Sequence, residues 1–317
     1  MEVSSDRGRS YRLQRGEEPA AGLARIAAGR AEAALERLRE SQAGEAGTAA
    51  AVHGARKDLK KLRTVLRLLR GALGAKRYRR ANRRFRDAAR TLSVSRDAEV
   101  KLQTLEALSR QALPLPEAAL ESWRKILDRD REAAVDTAAA EARLAGAIAQ
   151  IEAGLEEIRG WKLEGDAWEM IGPALARGYR RGRKAMKAAE SGDERDFHEW
   201  RKRAKDLWYE LRLLRDSWPG PLEATAEEAH TLTELLGDHH DLAVLREDLR
   251  ERKLGEQETV ALETAIGGRQ EELATEALSL GRRLYAERPR ELSRRLRRYR
   301  QVWRLSEPVL DKAPSAG

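Results

Sequence analysis

The 317 residues carry 62 lysines and arginines against 53 aspartates and glutamates, for a net charge of +9 and a pI near 9.8. A 41% hydrophobic content rules out a disordered polyelectrolyte, the absence of cysteine rules out disulfides and thiolate metal sites, and no apolar run approaches the roughly 20 residues of a membrane span. The expectation is a soluble cytoplasmic protein, with one large or two ordinary domains, whose positive balance favours polyanions: nucleic acid, phosphate polymers or an acidic membrane face.

Ala, Leu, Arg and Glu dominate, and strand-like alternation of β-branched residues is missing, so the fold class is all-α. Residues 1–10 read as a loose polar lead and 306–317 as a loose tail. Between them helices are predicted at 19–43, 48–73, 76–92, 96–110, 117–159, 166–190, 193–217, 222–236, 239–254, 256–286 and 288–304. Breaks are expected at Gly146 and near Gly267–Gly268 in the long segments. Pro19, Pro219, Pro221 and Pro289 fall at predicted helix ends, and Thr48, Ser95 and Asp193 stand where caps belong.

Two stretches repeat. Residues 52–70 read VHGARKDLKKLRTVLRLLR and residues 197–215 read FHEWRKRAKDLWYELRLLR, identical at ten of nineteen positions and 145 apart. Downstream come LSVSRDAEV (92–100) and LLGDHHDLAV (235–244), which align Asp97 with Asp241. The unit reads as a basic helix, a second helix, a polar turn ending in Asp and a third helix. Two pseudo-symmetric helical bundles follow, with halves at about 11–160 and 161–305.

On the first copy Val52, Ala55, Leu59, Leu62, Leu66, Leu69 and Leu73 form an apolar stripe at alternating three- and four-residue steps. One residue on, about 100° round the helix, His53, Arg56, Lys60, Arg63, Arg67 and Arg70 form a cationic one. The second copy sets Phe197, Ala204, Leu207, Leu211, Leu214 and Trp218 beside His198, Arg201, Lys205, Arg212 and Arg215. A basic face on a helix is commonly a solvated one. Here it recurs in the same register, and like charges at this spacing repel unless an anion neutralises them. Residues 53–90 carry +13, 177–215 carry +6 and 282–304 carry +8, so the remaining chain is acidic. Guanidinium groups grip phosphate oxygens in pairs, and a groove between two such helices would hold a linear polyanion.

His53 and His198 start the stripes and suit hydrogen-bond donation to phosphate, with a helix-start structural role as the alternative. The His-His-Asp run at 239–241 has the residue types of a metal-dependent phosphohydrolase, yet the first copy has Arg96-Asp97 there, which favours an anion contact or a capped turn. The 71–76 glycine run lacks P-loop spacing, and Glu256-Gln-Glu258 meets Val260 where a tunnel triphosphatase has lysine. Neither a catalytic residue, a cofactor nor a metal is expected.

The motif His-x-x-Arg-Lys followed by Leu-Arg-x-x-Leu-Arg resembles the conserved histidine α-helical domain, the CHAD family. LSVSRD and LLGDHHDLAVL resemble that family's turn sequences, and YRLQRGEEPAAGLARI its usual start, so the resemblance spans about 11–305. Ser93, His239, Trp208 and Tyr209 depart from the pattern. The resemblance implies two helical bundles around a basic central cavity that binds inorganic polyphosphate, without catalysis, and targets the protein to polyphosphate granules. Implied ligand contacts are His53, Arg56, Lys57, Lys60, Arg63, Arg67, His198, Arg201, Lys202, Lys205, Arg212 and His240. Arg83, Arg294 and Arg298, on the other basic helices, are expected to widen the site. Polyphosphate-metabolising enzymes or granule proteins are the candidate protein partners. A nucleic-acid binder and a metal phosphohydrolase built on the His-His-Asp turn are the alternatives.

Overall fold

The computed structural model describes residues 10–44, 47–92, 97–110, 117–133, 137–163, 167–252 and 256–306. Among them are eleven α-helices, one 3-10 turn and no strand. The helices are α1 (Pro19–Gln42), α2 (Thr48–Leu68), α3 (Arg70–Thr91), α4 (Asp97–Ser109), α5 (Glu117–Ala133) and α6 (Thr137–Arg159). They continue with α7 (Ala167–Ala189), α8 (Glu194–Leu214), α9 (Pro219–Glu251), α10 (Glu256–Leu284) and α11 (Pro289–Leu305).

The apolar stripe of α2 does what its spacing demands. All seven of its members, from Val52 to Leu73, are buried, and each large one contributes about 1.5–3 kcal/mol by leaving water. α1, α2, α3 and α6 pack in a ring, each against two neighbours. α8 lies against α7 and α9, α10 lies against α9, and α11 lies on α7. The two groups meet where α2 touches α7 and α8, and one continuous core runs through both, from Leu23 and Phe85 to Trp200 and Leu232. A smaller core centred on Trp123 joins α4 and α5 to the far ends of α9 and α10.

Gly74, at φ 72°, kinks α3 where the predicted gap between 73 and 76 lies; only glycine takes that conformation without strain. Asp193 caps α8 by accepting the Arg195 N–H at 2.7 Å. Thr48 is instead the first helical residue, after an N-cap Gly47 that offers no side chain, and Ser95 lies outside the described residues. The breaks expected at Gly146 and near Gly267–Gly268 are not there: α6 runs through Gly146, and α10 runs through Gly267 and Gly268. The largest correction concerns the second polar turn: 222–236 and 239–254 are one 33-residue helix, with Gly237–Asp241 in its middle. Leu236, His239, Leu242, Leu245 and Leu249 are buried along it. Continuing that row outweighs the ~1 kcal/mol cost of an interior glycine. Trp218, expected in the apolar row of α8, is 47% exposed, because the helix ends at Leu214 and the 3-10 turn Arg215–Ser217 swings it onto Tyr299. No helix among the described residues is long and apolar enough to cross a membrane.

Candidate functional site

Burying the apolar stripes of α2 and α8 leaves the neighbouring cationic faces directed at a cleft of about 720 Å³, closed by α4 and α9. α2 supplies His53, Arg56, Lys57 and Lys60, and α8 supplies Arg201, Lys205, Trp208 and Tyr209. α9 adds His230, His240, Glu234, Asp238 and Asp241, and α4 adds Lys101. Six cationic side chains thus face three carboxylates across one cavity. Seven of the fifteen sequence-predicted site residues line it: His53, Arg56, Lys57, Lys60, Arg201, Lys205 and His240.

The others lie elsewhere. At about 1.5 Å per residue the lower end of the α2 row lies roughly 10 Å beyond Lys60, past the cleft and among the helix contacts. Arg63 Nε donates to Asn82 Oδ1 on α3 at 3.1 Å. Arg67 is ion-paired with Asp206 of α8 and donates to Thr64 Oγ1 at 2.9 Å. Arg212 lies over the Trp208 ring at 5.3 Å. Lys202 is exposed, 3.5 Å from Glu199. Arg83 lines a groove of its own with Lys76, Arg79, Arg80 and Arg84. Arg294 lines another between α7 and α11, and Arg298 is exposed on α11.

The histidines divide in the same way. His198 is not among the lining residues; its ring packs against His240 at 4.3 Å, and its Nδ1 is buried without a hydrogen-bond partner. Burial, reinforced by Lys202 and Arg201, holds His198 below the usual imidazole range. Burial, reinforced by Arg201, His198 and Lys205, pushes His240 down to about 3. These two rings are therefore neutral at physiological pH in the ligand-free protein, which argues against imidazolium at these positions. His239 faces the other way: it stacks on Phe197 at 4.2 Å, and burial lowers it to about 4. Consecutive helical residues diverge by about 100°, so the adjacent histidines cannot converge on one ion. Among the described residues no group of three His, Asp or Glu is arranged to hold a metal.

Beneath the cleft a charged layer joins its walls. Asp58 of α2 is buried among Arg30 at 3.0 Å, Arg37 at 3.4 Å and Lys61 at 3.7 Å. Asp206 lies between Arg67 and Arg203; burial pushes its carboxyl up against the pull of those arginines. Tyr11 packs edge-on against Tyr209 at 6.2 Å, and the Leu13 N–H donates to the Leu213 carbonyl at 3.1 Å.

Sequence periodicity found the α2 wall but missed Lys101, Thr233, Glu234 and Asp238. Lys101 is held at 2.7 Å from Asp248, 147 positions away, and nothing local marks it. The signal for Glu234 and Asp238 was their spacing of four on the helix that carries His230 and Asp241, obscured by reading a turn at Gly237.

The fold and cleft define an all-helical protein whose two basic helices face one cavity. The CHAD domain family model matches residues 29–250, and the chain belongs to that family. The crystal structure of the CHAD domain from the plant Ricinus communis superposes with a TM-score of 0.63 at 19% identity, covering 87% of this chain and 94% of that one, a likeness of fold. No curated protein matches the sequence.

Proposed function

We propose that this protein is a non-catalytic binding module for linear inorganic polyphosphate, held in the α2–α8 cleft. One observation carries the reading: two helices distant in sequence bring Arg56, Lys57, Lys60, Arg201 and Lys205 to one cavity, with Lys101 completing the ring. Arginine forks take adjacent oxygens of one phosphate, and lysine ammonium groups act as point charges between them. Glu234, Asp238 and Asp241 repel a chain from the α9 wall and restrict it to the path between α2 and α8. His53 from α2 and His240 from α9 line the same cavity and offer ring N–H groups to phosphate oxygens. In the cytoplasm such a module would attach itself, and whatever it carries, to polyphosphate granules.

Titration with polyphosphates of defined length across a salt series tests this. Binding should tighten with chain length until the cleft is spanned, and should fall steeply as salt rises, because each neutralised phosphate releases condensed cations. Affinity that persists in molar salt, or equal affinity for nucleic acid of the same phosphate number, would refute the assignment. Phosphate release from short chains with added divalent metal would establish the hydrolase alternative instead.

A further inference from the structure

A second cavity of about 650 Å³ lies between α7 and α11 and shares no residue with the α2–α8 cleft. Five arginines face it, Arg177 and Arg180 from α7 and Arg290, Arg294 and Arg297 from α11, against the single acid Glu169. Three other arginines of α11 are engaged. Arg295 pairs with Glu287 at 2.7 Å, Arg304 with Glu18 at 3.0 Å, and Arg300 donates to the Glu17 carbonyl at 2.7 Å. Arg177, Arg180, Arg290 and Arg294, by contrast, make no ion pair with a carboxylate among the described residues. Arg290, Arg294 and Arg297 follow one another at four- and three-residue steps along α11, where like charges repel. Burial and the neighbouring Arg70, Arg181 and Arg180 depress Arg177 below the ordinary guanidinium range.

Gly172 and Ser293 line the same groove, where the two helices come into contact. Ser293 Oγ–H donates to the Gly172 carbonyl at 2.9 Å, and a Cβ on Gly172 would come within 3.0 Å of that hydroxyl and 2.9 Å of Trp168 Nε1. Glycine thus lets α7 and α11 approach closely at this point of the groove.

We infer that the α7–α11 groove is a second anion site, separate from the central cleft, that takes a segment of an inorganic oligophosphate. The nature of the ligand rests on the function proposed above, while the site itself rests on the arginine cluster. Five guanidinium groups around one cavity suit several phosphate oxygens at once. A long chain that reaches both sites would gain avidity from the link between them.

Calorimetric titration with tripolyphosphate at low salt separates the two ideas. The wild-type protein should show two classes of site. Arg177→Glu with Arg294→Glu should remove one class or weaken it by about tenfold or more, the fold-change from losing one charge-assisted hydrogen bond. Arg56→Glu with Arg201→Glu should remove the other. If the groove pair leaves both classes intact, the inference is overturned and the central assignment stands. If only the groove pair abolishes binding, the central assignment fails and the groove survives. Circular dichroism verifies the fold of each variant. Should charge reversal unfold the protein, Arg177→Gln with Arg294→Gln is read by the same criteria.

Discussion

α2 and α8 carry the same motif and build opposite walls of one cleft, yet the walls differ. The α2 wall is cationic: its one acid, Asp58, is turned into the core and surrounded by Arg30, Arg37 and Lys61. The α8 wall is mixed. Trp208 stands where α2 has Arg63, and packs tilted against His230 at 4.3 Å, while Glu199 engages Lys202 and Arg203. The next helix also brings three carboxylates to that side. A shared sequence rhythm therefore sets which face of a helix is buried, and the neighbours of that face decide how much charge reaches the ligand side.

Charge reversal breaks or confirms this asymmetry most directly. Arg56→Glu with Lys60→Glu should weaken long-chain polyphosphate binding by about a hundredfold, and Arg201→Glu with Lys205→Glu by nearer tenfold, at ~1.4 kcal/mol per factor of ten. Equal losses by titration would show the walls to be equivalent. Arg67→Ala should cost about 1–3 kcal/mol in urea denaturation, because it leaves the Asp206 carboxylate partly buried without its main partner, less a discount for the exposed part of Arg67. It should leave polyphosphate affinity unchanged, and a large loss of affinity would return the lower stripe to the site.

Glu210 sharpens the contrast from the α8 side. Burial, then the nearby Asp206, raises its carboxyl well above the usual value, against the pull of Arg67. A raised folded pKa means that its contribution is full below the unfolded value and is lost as pH rises through the folded one. Glu210→Gln should therefore raise the melting temperature at pH 8 relative to wild type, and by less at pH 4; a drop at pH 8 would indicate a working carboxylate. His198, His239 and His240 run the opposite way. Their folded values lie below the unfolded imidazole value, so the unfolded chain takes up protons first and stability falls as pH drops below ~6.5. His240→Asn should make that decline shallower by about one proton's slope. Thermal melts from pH 7 to 4 decide it, and an unchanged slope would mean that His240 is not held neutral.

Much of this was legible in the chain. Helical residues dominate, the apolar stripe of α2 is regular, and Asp193 and Gly74 punctuate where their chemistry requires. The α2 wall followed, since a buried stripe dictates what lies 100° away. The α9 wall did not, because Gly237-Asp238 is turn-forming locally and only the core contacts of Leu236, Leu242 and Leu245 keep the helix going. Nor could a periodic row reveal where the cleft ends along it: Arg63 and Arg67 belong to the stripe by spacing and to the helix contacts by their position along the axis. Arg294 was grouped with the cleft by charge alone, whereas packing of α11 on α7 sets it in a different groove.

The stretch just before α1 has a bearing on how the molecule is made. Leu13 hangs on the end of α8, Arg12 reaches Asp216 at 3.2 Å, and the carbonyl of Glu17 receives Arg300 from α11. An early segment is thus fastened by partners translated some 200 to 285 residues later. While the chain is still emerging from the ribosome, this clasp has nothing to hold. It can close only once α8 and α11 have both been made, so the segment before α1 is the last part of the first bundle to be fixed in place.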